Sequence, residues 1–222
     1  MKKILLVSAV LFLVFAGCHG FGFNCHGFGG VRGSGISKEE NRSISDFNAV
    51  NIGGAYEVDI NCGAAPGVTI DAESNILPLI KSEISGNTLH IYNTKSINPR
   101  KKIKIKITVA DLDEVETSGA SNITVENINN DRIKLDASGA GKIYLAGKTG
   151  MLRLSLSGVV KVEAKDLLAD NANVEISGAS KADVYASKEL RADISGVGSL
   201  DYYGNPANVR RSVSGVGSIN EK

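Results

Sequence analysis

The chain has 222 residues, 42% hydrophobic and 22% charged, with 25 Lys and Arg against 24 Asp and Glu for a net charge of +1. That balance excludes a disordered chain, a chain embedded in a membrane along its whole length, and the strongly basic surface of a nucleic-acid binder. Trp is absent and five of the six Phe (Phe12, Phe15, Phe21, Phe23, Phe28) precede residue 30, so the body, with Phe47 alone, predicts a thin core of Ile, Val, Leu and Ala.

Residues 1–17 read as a lipoprotein signal peptide. Met1-Lys2-Lys3 is a positive n-region, and Ile4 to Ala16 is an apolar stretch in which only Ser8 is polar. Such a stretch is too short to span a bilayer, which takes about 20 residues. It ends Phe15-Ala16-Gly17-Cys18, which resembles a bacterial lipobox with Phe15 where leucine is usual. The lipidation expected at Cys18 makes the membrane a partner, since two or more acyl chains anchor stably. His19 rather than aspartate after Cys18 points to the outer membrane, with the domain periplasmic or surface-exposed.

Residues 18–42 read as a Gly-rich tether. His19-Gly20-Phe21-Gly22 recurs as His26-Gly27-Phe28-Gly29 with Cys25 between. The spacing matches no standard zinc pattern, so no metal is expected. Outside the cytoplasm Cys25 and Cys62 form a candidate disulfide that would pin tether to domain; two free thiols are the alternative.

Residues 43–117 read as an irregular β-rich cap and first coil. Val50, Ile52, Val58, Ile60, Val68, Ile70, Leu89, Ile91, Ile103, Ile105, Ile107 and Val109 alternate as strands do. Asn75 to Ser85 predicts a short helix capped by Asn75, with Pro78 in its first turn. In Arg100-Lys101-Lys102-Ile103-Lys104-Ile105-Lys106-Ile107 the isoleucines face in and the lysines out. Lys102, Lys104 and Lys106 are a candidate patch for anionic glycans or lipid headgroups; the alternative is lysine guarding an edge strand.

Residues 118–222 repeat. Ser118-Gly119, Ser138-Gly139, Ser157-Gly158, Ser177-Gly178, Ser195-Gly196 and Ser214-Gly215, each followed by Ala or Val, are spaced 20, 19, 20, 18 and 19 residues apart. Gly53-Gly54-Ala55 is a weaker relative. Apolar residues alternate with Lys, Arg, Asp and Glu around each copy, so each unit is a set of short strands with one buried face. A 19-residue unit cannot bury that face alone, whereas stacked units can. The expected fold is therefore all-β: a parallel β-helix, or β-solenoid, with coils of about 19 residues. Each glycine marks a corner with special φ/ψ or a close backbone approach, and the serines are expected to form a hydroxyl ladder. The last repeat stops three residues short of Lys222, which leaves an open end for a second copy of the chain to cover.

Phe47-Asn48-Ala49-Val50, Tyr56-Glu57-Val58-Asp59-Ile60, Asn75–Ile84, Gly86-Asn87-Thr88-Leu89 and Leu112…Ser118-Gly119-Ala120, with the repeats downstream, resemble the putative auto-transporter adhesin, head GIN domain family over residues 44–222. The resemblance implies a β-helical bacterial cell-envelope protein, often a lipoprotein. It supplies no catalytic or ligand residues.

No catalytic constellation stands out. The three His are His19, His26 and His90, none within the repeats, and no GxSxG elbow exists. A Ser–Lys dyad at Ser138…Lys142 or Ser157…Lys161 would have to be singled out from six equivalent serines. Gly139-Ala140-Gly141-Lys142 lacks the earlier glycine and following Ser or Thr of a P-loop. The carboxylates Asp111, Asp113, Glu114 and Glu116 read as a solvated face. Tyr144, Tyr185, Tyr202 and Tyr203 sit at unequal offsets and form no stripe for carbohydrate. The reading is a non-enzymatic, lipid-anchored, adhesin-like or scaffold solenoid without cofactor, whose partner is a glycan or an envelope protein. A β-helix enzyme acting on polysaccharide and an envelope signalling partner are the alternatives.

Overall fold

The computed structural model describes residues 29–222. Cys18, Cys25 and the duplicated His-Gly-Phe-Gly lie outside or at the margin of those residues. The fold is the expected all-β solenoid, of about five turns, with no α-helix among the described residues. Its strands, in chain order, are β1 (Val31–Arg32), β2 (Ser37–Arg42), β3 (Ala49–Gly53), β4 (Glu57–Cys62), β5 (Gly67–Glu73), β6 (Ile80–Ser85), β7 (Thr88–Asn93), β8 (Ile97–Asn98), β9 (Lys104–Val109) and β10 (Glu114–Thr117). Three long bent strands follow, β11 (Asn122–Ala137), β12 (Ala140–Leu156) and β13 (Val159–Ile176). The last coils hold β14 (Ala179–Tyr185), β15 (Glu189–Ile194), β16 (Val197–Tyr203), β17 (Asn208–Val213) and β18 (Val216–Glu221).

Each coil runs along one face after its Ser-Gly corner, bends, and returns along a second face to the next corner. On the first face β9, β4, β11, β12, β13, β14, β16 and β18 pair in parallel. On the second, β7, β3, β10, β11, β12, β13, β15 and β17 do so. Alternation in sequence becomes columns in space. Val50, Val115, Leu135, Leu154, Val174 and Ala192 stack in register through the core, all buried. Each large aliphatic side chain so buried contributes about 1.5–3 kcal/mol, which is how a thin core without Trp holds the stack together.

The corner glycines answer to space. An added Cβ on Gly119, Gly139 or Gly158 would lie 1.8 Å from the carbonyl oxygen of Gly54, Gly119 or Gly139 respectively, one coil below. Gly178, Gly196 and Gly215 meet the next glycine carbonyl at 2.2, 2.2 and 2.0 Å. None of these glycines has a positive φ, so close approach, not special φ/ψ, requires them. Gly54 is the first member of the column, since its carbonyl accepts the Ala120 N–H at 2.9 Å. The expected serine ladder is absent. All six serines are exposed, and only Ser138 has a hydroxyl partner among the described residues, the Thr117 carbonyl at 3.4 Å. The inner bonds belong instead to Ser121 and Ser180, three residues further on, which are buried and donate to the Gly54 and Gly158 carbonyls at 3.0 Å.

The N-terminal region departs from the expectation in two places. Residues placed in the tether form strands: β1 pairs with β8, and β2 adds antiparallel to β5. Gly-rich composition hid them, because their partners lie up to 66 residues away (Val31 and Ile97). Asn75 to Ser85 holds only a 3-10 turn, Leu77–Leu79, before β6. Asn75 does not cap it; its amide bonds the Arg32 carbonyl and the Ser34 N–H, both at 2.8 Å. Pairing of β6 with β7 gives that segment more than a marginal short helix can.

The two ends differ. At the N-terminal end, antiparallel β5 and β2 finish the first face and β6 the second. At the other end the sequence suggested bare core. There Arg211 stands opposite Ala192 and Glu221 opposite Tyr202, at positions that are apolar in earlier coils. The Arg211 guanidinium lies 4.9 Å from the buried Tyr202 ring and also donates to its hydroxyl. The Tyr202 hydroxyl donates to Glu221 at 2.9 Å. Inward-pointing charge of this kind blunts an open end, while β17 and β18 remain the outermost strands of their ladders, with Val213 and Val216 exposed.

Candidate functional site

Because the coils are nearly equal in length, an outward residue at a fixed offset from the serine becomes a row along the solenoid. Four residues before the serines, Lys134, Arg153, Asn173, Arg191 and Arg210 stack in register on the second face. Two residues before, Glu116, Asp136, Ser155, Glu175, Asp193 and Ser212 do the same. Four residues after, Lys142, Lys161, Lys181, Ser199 and Ser218 line up on the first face. The constant offset is the signal that would have found these rows. Reading each repeat singly missed them.

Much of this charge is matched within the molecule. Lys134 contacts Asp136 at 2.6 Å and Glu114 at 2.8 Å, which raises its pKa. Lys181 contacts Asp201 at 3.1 Å and Asp183 at 3.6 Å, and Lys161 pairs with Glu163. Arg191 contacts Asp193 at 3.2 Å. The Lys134, Lys161 and Arg191 pairs are exposed, each contributing about 0–1 kcal/mol, whereas Lys181 reaches the buried Asp201. Arg153, Arg210 and Lys142 have no ion-pair partner among the described residues. A groove of about 490 Å³ beside the arginine row is bordered by the carboxylates Asp113, Glu114 and Asp131 as well as by Arg132, Lys134 and Arg153.

Of the residues singled out from sequence, Lys104 and Lys106 project from β9 as expected. That strand lies between β4 and β5, so it is not an edge and the guarding role falls away. Lys104 stands opposite Glu57 and Asp71, Lys106 opposite Asp59, and Lys102 pairs with Glu57. Those carboxylates offset much of the patch's charge. No hydrogen bond joins Ser138 to Lys142 or Ser157 to Lys161; Lys161 bonds Glu163. Tyr202 is core, while Tyr185 and Tyr203 are ladder neighbours. Cys62 is buried and has no disulfide partner among the described residues, which leave out Cys25; as a thiol its pKa is pushed up to about 11 by burial and by the Asp111 charge. Among the described residues, no cluster of three His, Cys, Asp or Glu could hold a metal, and no helix is long and apolar enough to cross a membrane.

A family model described as putative auto-transporter adhesin, head GIN domain, matches residues 46–206. No curated protein matches the chain. A putative adhesin from Bacteroides fragilis is similar in structure, with a TM-score of 0.73 and 23% identity over 86% of this chain and 100% of that one. Putative adhesins from Parabacteroides merdae and Parabacteroides distasonis superpose at 0.57 with 21% and 19% identity, each over 86% of this chain and 98% and 99% of theirs. At such identities the likeness shows the fold.

Proposed function

The chain belongs to the putative auto-transporter adhesin, head GIN domain family, and from that premise we propose a non-enzymatic, lipid-anchored solenoid of the outer membrane that holds an extended anionic partner along its second face. The family is adhesin-like and of the cell envelope. The observation that carries the reading is the row Lys134, Arg153, Arg191 and Arg210, one cation in four of five successive coils, in which Arg153 and Arg210 have no ion-pair partner among the described residues while Lys134 is shared with Asp136 and Glu114 and Arg191 with Asp193. Coils repeat at about 4.8 Å, a length comparable with one sugar ring of a linear glycan. Guanidinium groups suit carboxylate and sulfate because they present paired donors. Lys102, Lys104 and Lys106 are a secondary patch, weakened by facing carboxylates. Cys18 carries the anchor.

The test is an array of neutral, carboxylated and sulfated polysaccharides. Binding to the acidic members should fall as salt rises and be lost in the double variant Arg153→Glu, Arg191→Glu. Equal binding to neutral glycans, or depolymerisation of any of them, would overturn the reading. Cys18→Ser should move the protein from the membrane to the soluble fraction; continued membrane retention would remove the anchor from it.

A further inference from the structure

The Ser-Gly corners form a ridge along the solenoid, and its crest is apolar. Ala120, Ala140, Val159, Ala179, Val197 and Val216 follow the glycines, one per coil. Val159 is 65% exposed, Val197 59% and Val216 72%. Ordered rows of exposed valine are unusual on a free surface. A shallow groove of about 720 Å³ runs between this crest and the lysine row. The two flanks carry opposite charge: Lys142, Lys161 and Lys181 on one side, Glu116, Asp136, Glu175 and Asp193 on the other.

We propose that this ridge joins two copies of the chain side by side, related by a twofold axis parallel to the solenoid axis. Charge fixes the orientation. Such an axis keeps each coil level with its equivalent and exchanges left for right, so the lysine flank of one copy meets the acidic flank of the other. At the level of Ser138, Asp136 meets the partner's Lys142. At the level of Ser177, Glu175 meets the partner's Lys181. A twofold lying across the ridge would set lysine against lysine. Lys142 and Glu175 have no ion-pair partner within their own chain among the described residues, while Asp136 also contacts Lys134, and Lys181 also contacts Asp183 and Asp201, so each cross-copy pair joins one free charge to one already shared. Where the acidic flank holds Ser155 instead, the lysine of that coil, Lys161, is already bound to Glu163. Glycine and serine beside the crest let the two backbones come close, as small residues do at other packed interfaces. The contact is isologous and closes at two copies. It also places both N-terminal ends together, so two anchors at Cys18 reach one membrane. The proposal does not depend on the glycan reading, which fails or stands on the arginine row.

The test uses the full chain in detergent with Cys25 replaced by Ser, carrying Val159→Cys or, separately, Val216→Cys. Each residue lies near the axis and meets its own copy, so both variants should form covalent dimers on mild oxidation. Lys188→Cys, off the ridge, should not. Light scattering of the chain without introduced cysteines should give twice the monomer mass. Val159→Lys with Val197→Lys should return it to the monomer with an unchanged circular dichroism spectrum. A monomer at high concentration, or cross-linking at one level of the ridge but not the other, would overturn the parallel dimer.

Discussion

The coils after Ser118 and the segment before it both stack strands on two faces, yet glycine at the coil corners and glycine in the N-terminal turns serve different needs. In the coils Gly158 leaves room for a carbonyl 1.8 Å from where a Cβ would sit, at an ordinary φ. In the N-terminal segment Gly63 and Gly86 have φ of +84° and +60° and open space around the Cβ position. The coil corners are limited by volume between layers, these two N-terminal turns by backbone handedness. The regions also differ in what joins them. Coils are held by one repeated ladder, so a fault at one corner is felt by its neighbours above and below. The N-terminal segment is pinned by individual side chains. Arg42 donates to the Ile80 carbonyl at 2.9 Å and the Ser82 hydroxyl at 3.0 Å. The buried Glu73 carboxylate accepts the backbone N–H groups of Gly35, Arg100 (2.7 Å) and Lys101 (3.4 Å).

Substitutions can break that contrast or sharpen it. The largest effect is expected from Gly158→Ala, which forces apart two coils that cannot yield at a side chain; overpacking of this kind costs about 1–3 kcal/mol. Urea denaturation should show it, and Gly158→Asn should be no better. Gly86→Ala should cost about 1 kcal/mol, the penalty of a left-handed alanine. Here Gly86→Asn should recover part of the loss, because Asn tolerates positive φ. Equal responses of the two sites to Asn would erase the distinction between volume and handedness.

A smaller, local effect is expected at Glu73. Burial pushes its carboxyl up, but the three backbone N–H groups and the Arg100 charge outweigh this and hold it below the ordinary glutamate range. A depressed folded pKa gives stability that is complete above the unfolded value, about 4.3, and is lost as pH falls through the folded value. Protection of the Val31, Arg32 and Gly35 amides, taken relative to the intrinsic exchange rate at each pH, should therefore fall at pH 3 compared with pH 6, more than in the coils. Glu73→Gln should remove that difference. The least effect is expected from Ser157→Ala, within about 0.5 kcal/mol, since that hydroxyl has no partner. A larger loss in the same denaturation series would restore the serine ladder.

Sequence and structure agree where a pattern is periodic and part where it is not. The spacing of the six Ser-Gly pairs was enough for the parallel solenoid, because a short unit with one apolar face has few ways to bury it. Alternation of Ile103, Ile105 and Ile107 with Lys104 and Lys106 likewise settled which side chains face in. The strands β1 and β2 were invisible, since nothing local marks Val31 or Ser37 as strand until the distant partners arrive. The rows that make the candidate site were half visible. Lys134, Arg153, Arg191 and Arg210 share an offset in the chain, but bends in β11, β12 and β13 decide that equal offsets become neighbours on one face.

By itself, then, the sequence determined the period, the buried positions, and the need for glycine at each corner, because these follow from a local repeat that every coil must satisfy. Why the corner needs glycine was decided only by stacking: the carbonyl that excludes a Cβ at Gly158 belongs to Gly139, one coil away. The charged C-terminal end was decided in the same way. Arg211 and Glu221 look like surface charge in the chain and become a plug only when register sets them above Ala192 and Tyr202. A contact between layers has no local signature, since it depends on where the chain returns after a full turn.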